Sequence, residues 1–148
     1  MSQPRSGDTS PSYAGDLSAE QAWKKLADDP QALLVDVRSE AEWTFVGMPN
    51  LAQLGKQPLF IQWQVFPGMI ANQGFVADVL SKAPDKGRPL LLLCRSGGRS
   101  KSAAIALTAQ GYAHCYNIAG GFEGDLDAEG HRGRQAGWKA AGLPWRQR

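Results

Sequence analysis

Cysteine and histidine are scarce in these 148 residues. There are two of each, Cys94 and Cys115, His114 and His131. Two cysteines make no disulfide framework, and a reducing, cytoplasmic setting is the expectation. No His/Cys cluster has metal-ligand spacing and no Gly-rich phosphate-binding Lys motif occurs, so no metal or cofactor is expected. No apolar run approaches the roughly 18 residues of a membrane span. Residues 1–16 hold no hydrophobic segment, so no secretory signal is expected there. Charge of one sign is scarce too: 16 Lys and Arg against 14 Asp and Glu leave a net +2, too little to imply nucleic acid. Hydrophobic and charged contents of 43% and 20% are ordinary for a soluble globular protein, and the length suits one domain better than two.

The most informative stretch is Pro89 to Ser100. Leu90-Leu91-Leu92-Leu93 reads as a short strand buried on both faces, as in a parallel sheet. Cys94 closes it, a glycine-containing loop follows, and Ser100 to Gln110 reads as a helix. A thiol at the carboxyl end of a central strand, facing a helix N-terminus, sits where open α/β sheets bind ligands. Loop and first-turn N–H groups, the helix dipole, and the charges of Arg95 and Arg99 all favour a thiolate over a thiol. Gly97 and Gly98 are expected to take positive φ and turn their amides inward as an anion-binding nest. A buried structural cysteine would need no such charge.

Cys94-Arg95-Ser96-Gly97-Gly98-Arg99-Ser100 resembles the active-site loop of rhodanese-like domains, the sulfurtransferase family. Asp36-Val37-Arg38, with Glu40 to Trp43 after it, resembles that family's Asp-x-Arg segment. Gly120-Gly121-Phe122-Glu123 resembles its Gly-Gly turn, and Gly142-Leu143-Pro144-Trp145 its Gly-Leu-Pro ending. The resemblance spans about residues 17 to 145. It implies a three-layer α/β/α fold around a largely parallel five-stranded sheet. It further implies a Cys94 persulfide, formed from a sulfur-oxyanion donor such as thiosulfate and discharged to a thiol or protein acceptor, with Arg95, Ser96, Gly97, Gly98, Arg99 and Ser100 as the binding loop. Neither nucleic acid nor membrane enters this reading. One departure stands out: where many members carry Gly-His-Ile-Pro-Gly-Ala, this chain has Gly47-Met48-Pro49-Asn50-Leu51, without the His, followed by a long segment to Gly68.

Taken in order, residues 1–16 read as a flexible tail and 17–148 as a single domain. Ser18 to Gln21 is a capping box opening a helix to about Asp29, with Ala22, Trp23 and Leu26 on its apolar face. Ala32 to Val37 is a buried strand, and Ser39 to Glu42 a second capping box for a short helix through Phe45. Asp36 and Arg38 read as an internal ion pair before a catalytic one. Leu59 to Trp63 reads as a strand, and Asn72 as the cap of a helix to Lys82 with Phe75, Val76, Val79 and Leu80 inward. Gly111 is a C-cap and Ala113 to Ile118 the last strand. His114 and Cys115, adjacent on a strand, point to opposite faces, so Cys115 reads as packing with a resolving thiol as the alternative. Glu123, Asp125, Asp127 and Glu129 read as a solvated acidic loop, not a calcium site. Arg134 to Ala141 reads as a closing helix with Trp138 inward.

Two other functions fit a cysteine followed by an arginine. A Cys-dependent phosphatase or arsenate reductase places one more residue between Cys and Arg than the four separating Cys94 from Arg99. Ser100 occupies that longer position and cannot clamp phosphate as Arg does. A non-catalytic partner-binding or redox-sensing module is the other alternative, against which stands the intact loop.

Overall fold

Leu90 to Leu93 are all fully buried, which a strand allows only where both faces of its sheet are covered. The computed structural model describes residues 13–65, 70–124, 128–129 and 137–147 and shows both covers. The chain runs β1 (Gly15–Leu17), α1 (Ala19–Asp28), β2 (Leu33–Asp36), α2 (Glu40–Phe45) and β3 (Met48–Pro49). A 3₁₀ turn at Ala52–Leu54 leads to β4 (Leu59–Phe60), β5 (Gln64–Val65), β6 (Ile70–Ala71) and α3 (Phe75–Lys82). Then come β7 (Leu90–Leu93), α4 (Gly98–Ala109), β8 (Cys115–Ile118) and β9 (Trp145–Arg146).

Five strands form one sheet in the order β1-β8-β7-β2-β4, every neighbouring pair parallel. Side chains alternate across it. Leu90 and Leu92 pack with Val35 against Phe75 and Val79 of α3 and Ala103, Ala104 and Leu107 of α4. Leu91 and Leu93 pack with Leu34 against Ala19, Ala22 and Leu26 of α1, and against Phe122 and Trp138. This is the three-layer α/β/α architecture. Both serine capping boxes are complete, with Gln21 and Glu42 as the returning side chains. Register places Asp36 beside Leu93, so β2 and β7 deliver Val37 and Cys94 to the same sheet edge.

Several local expectations are corrected. The domain does not start at Leu17: β1 pairs with β8, Tyr13 is buried, and only residues 1–12 of the expected tail lie outside the described residues. A three-residue edge strand held by backbone bonds, such as Ala14 N–H to Cys115 O at 2.8 Å, leaves no hydrophobic pattern to read. Only Leu59–Phe60 of the expected 59–63 strand joins the sheet by strand pairing; Gln64 turns into a separate hairpin with β6. Asn72 is not the helix cap. Its Oδ1 accepts from Gly74 N–H at 3.0 Å in a turn, and Gly74 is the N-cap. Leu80 faces solvent at 37% exposure. Of the expected helix over 134–141, residues 134–136 lie outside the described residues, and 137–142 form turns that still bury Trp138. The small β3–β9 ribbon was not foreseen; it seats Trp145 against Pro49.

Candidate active site

Cys94 follows the last residue of β7, and its side chain is 1% exposed. Gly97 adopts φ +114°, a left-handed conformation open to glycine, and this aims its N–H at Cys94 Sγ from 3.1 Å. Gly98, by contrast, is the first helical residue of α4 with no positive φ, so one glycine and not two makes the nest. Ser100 Oγ lies 3.2 Å from Sγ and 2.5 Å from Asn117 Oδ1. The Asn117 amide nitrogen donates to Asp16 Oδ1 at 3.0 Å, and Tyr13 OH donates to the same oxygen at 2.8 Å. A carboxylate only accepts, so the amide oxygen must face Ser100. Thus β1 and β8 orient a hydroxyl that touches the thiol.

The backbone of the loop is clasped from behind. Phe122 N–H donates to Cys94 O at 2.8 Å, and the N–H groups of Glu123 and Gly124 donate to Arg95 O at 2.9 and 3.1 Å. The turn that delivers them requires Gly121 at φ +60°. This is the Gly120-Gly121 segment that the sequence resemblance singled out, and its work here is to hold the thiol's backbone.

The two loop arginines behave differently. Arg99 makes a bidentate ion pair with Glu42, Nη1 to Oε1 at 2.7 Å and Nη2 to Oε2 at 2.9 Å. Burial alone would raise the Glu42 carboxyl; the Arg99 hydrogen bonds and charge, with the Ser39 hydrogen bonds, outweigh it and hold the carboxyl below its usual range. The same hydrogen bonds raise Arg99 against its own burial, with Cys94 and Asp36 adding smaller pulls. Arg95 is exposed and Ser96 half-buried. A cavity of about 580 Å³ opens between α2 and the loop, with Arg95 and Arg99 in its wall.

Asp36 and Arg38 form a fully buried ion pair, Nη2 to Oδ2 at 2.8 Å, tied also to Gly47 O at 2.8 Å. They are scaffold. Cys115 pairs in register with Leu90, a strand's length from Cys94, and desolvation pushes its thiol up to about 11, with a hydrogen bond from Thr108 pulling weakly the other way. That removes the resolving-thiol alternative. Replacing Cys115 with Ala is expected to cost about 1 kcal/mol, the scale of one small buried group; urea unfolding would check it. His114 is exposed. Among the described residues no group of three or more His, Cys, Asp or Glu is placed to hold a metal. Asp125, Asp127 and His131 lie outside the described residues. No helix among the described residues is long and apolar enough to cross a membrane.

Asn117, Asp16 and Glu42 were not foreseen as parts of this site. Asn117 and Asp16 sit on strands whose pairing is non-local, and Glu42 was read only as a capping residue.

Known proteins resemble this chain over most of its length. The family described as "STR4 middle domain" matches residues 14–148. The crystal structure of Rv0390 from M. tuberculosis superposes with a TM-score of 0.84 at 48% identity, covering 92% of this chain and 99% of that one. The Arabidopsis thaliana protein named "Rhodanese-like domain-containing protein 4, chloroplastic" is 32% identical over 91% of this chain and 26% of its own length. A protein named "Sulfurtransferase" from Allochromatium vinosum is 30% identical, over 72% of this chain and 82% of its own length. The chain belongs to the rhodanese-like family.

Proposed function

We propose that this protein is a sulfurtransferase of the thiosulfate type, working through a persulfide on Cys94. The Cys94 thiolate attacks the outer sulfur of a donor such as thiosulfate, the new S–S bond forms as the donor's S–S bond breaks, and sulfite leaves. A thiophilic acceptor, a small thiol or a protein, then takes the outer sulfur. The observation that carries this reading is the Gly97 N–H held 3.1 Å from Cys94 Sγ at the end of β7. A preorganised backbone donor there stabilises the sulfur anion whenever Cys94 is nucleophile or leaving group. Arg95, free of any ion pair among the described residues, is the loop cation left to meet an anionic donor. Ser100 supports the same reading: where a phosphatase-length loop would set its arginine, a hydroxyl lies against the thiol.

The test is the intact mass of reduced protein before and after thiosulfate, beside a Cys94→Ser variant. The wild type should gain one sulfur atom, lose it to cyanide, and the variant should gain none. An unchanged wild-type mass, with turnover of a phosphate ester or arsenate instead, would sink the reading.

A further inference from the structure

The Ser100 hydroxyl has a single proton and two neighbours that could take it. Its oxygen lies 2.5 Å from Asn117 Oδ1 and 3.2 Å from Cys94 Sγ, and both Ser100 and Asn117 are buried. A chain of donors decides between them. Tyr13 OH and Asn117 Nδ2 both donate to Asp16 Oδ1, at 2.8 and 3.0 Å. Burial, and after it the Asp16 hydrogen bond and charge, raise the Tyr13 hydroxyl, so it stays protonated and donates. Turning the Asn117 amide over would set its oxygen against the Asp16 carboxylate, acceptor to acceptor. The amide oxygen therefore faces Ser100, and such an oxygen only accepts. Its contact is the shorter of the two, at the close end of the O–H···O range, so Ser100 gives its proton to Asn117. What Ser100 turns toward Sγ is a lone pair.

That matters because the charge on Sγ changes during the reaction. In the free protein the thiolate charge sits on Sγ. After loading, Sγ is bonded to the transferred sulfur and the charge has moved to that outer atom. Gly97 N–H serves Sγ in the free form. Ser100 can add a second donor only by leaving the buried Asn117 oxygen unmet. We propose that Asn117, held by Asp16 and Tyr13, is a positioning residue that keeps the Ser100 proton off Cys94 Sγ and so biases Cys94 toward the persulfide. The proposal rests on the sulfurtransferase reading. In loading, the bond from Sγ to the outer sulfur forms, the sulfur–sulfur bond of thiosulfate breaks, and its electron pair leaves with sulfite. A withheld proton makes Sγ the stronger nucleophile in that step and the poorer leaving group in the next.

The experiment equilibrates reduced protein with thiosulfate and sulfite at set ratios and reads the persulfide fraction by intact mass. Rates of loading by thiosulfate and of discharge by cyanide are measured separately. Asn117→Leu removes the acceptor at similar size. It should lower the persulfide-to-free ratio roughly tenfold, the factor carried by one hydrogen bond to a charged group, with loading slower and discharge faster. A merely structural role would not move the two rates in opposite directions. In a Ser100→Ala background the same substitution should leave the ratio where Ser100→Ala alone sets it, since no proton remains to release. Asp16→Ala, at an exposed position, frees the amide to turn over and should shift the ratio the same way by a smaller factor. It carries the test if Asn117→Leu does not fold. An unchanged or raised ratio in either folded variant overturns the proposal, as does a fall that survives removal of the Ser100 hydroxyl. Wild type that gains no sulfur refutes the sulfurtransferase reading and the proposal with it. Wild type that loads, beside variants whose ratio does not move, leaves that reading standing and strikes only the role of Asn117.

Discussion

Replacing Arg38 with Met should destabilise the fold by about 3–5 kcal/mol, the usual result of stripping one partner from a buried ion pair. Both members are 0% exposed, and Arg38 meets Asp36 through Nε and Nη2 at 2.8–3.2 Å. Without the guanidinium, Asp36 keeps, among the described residues, only the backbone N–H of residue 38, at 3.1 Å, to offset its lost hydration. Two further supports go with it: the hydrogen bond to Gly47 O, and the guanidinium 4.2 Å from the centre of the Phe122 ring. One term works the other way. Among the described residues Arg38 Nη1 is buried without a partner, a burden of about 1–3 kcal/mol that the substitution relieves. The bare carboxylate outweighs it, because a buried uncompensated charge costs more than an unmet neutral-strength hydrogen bond. Against a total stability of about 5–15 kcal/mol, the variant should unfold at a much lower urea concentration. A double variant, Asp36→Asn with Arg38→Met, should recover much of the loss, since a neutral pair leaves no charge behind. A single-variant cost below about 1 kcal/mol would mean that the pair behaves like a solvent-exposed one.

What could be read from the sequence was what is local. Ser18 with Gln21 and Ser39 with Glu42 declare their helices within four residues, and Leu90 to Leu93 declares a doubly covered strand by having no polar face. Cys94 and its loop stood out because their residue types are costly in an ordinary turn. Partners brought together by topology stayed hidden. Glu42 and Arg99 are separated by 57 positions, and Asp16 and Asn117 by 101, so nothing near either one announces the other. The hidden pairs also changed the chemistry. Arg99 reads as a free cation in the sequence and is a neutralised one in the fold. Gly97 and Gly98 look alike as letters, and only the start of α4 decides which of them turns left-handed. β1 and β9 were missed for a simpler reason: pairing of two or three residues through backbone bonds needs no particular side chains.

Gly121 carries the other large effect, and it falls on function more than on stability. A Cβ built there would lie 2.5 Å from Cys94 O and 2.6 Å from both the carbonyl carbon and oxygen of Arg95. These are backbone atoms of the loop itself, so no side chain can rotate away; the Cys94–Arg95 peptide has to move. Its carbonyls are the acceptors for Phe122, Glu123 and Gly124, so moving it breaks the clasp and tilts Sγ away from Gly97 N–H. Displacement of a reacting group by about 1 Å is worth roughly a hundredfold in rate. Gly121→Ala should therefore slow sulfur loading from thiosulfate by about a hundredfold or more, with a stability loss of about 2–4 kcal/mol from strain at φ +60° and the clash. Gly142→Ala separates the two causes. Gly142 is also left-handed, at φ +74°, but nothing lies within 4 Å of its missing Cβ. That variant should lose about 1–2 kcal/mol from the backbone term alone and load sulfur at the wild-type rate. Should Gly121→Ala load sulfur as fast as Gly142→Ala, the clasp would be a folding device and the loop would hold its shape without it.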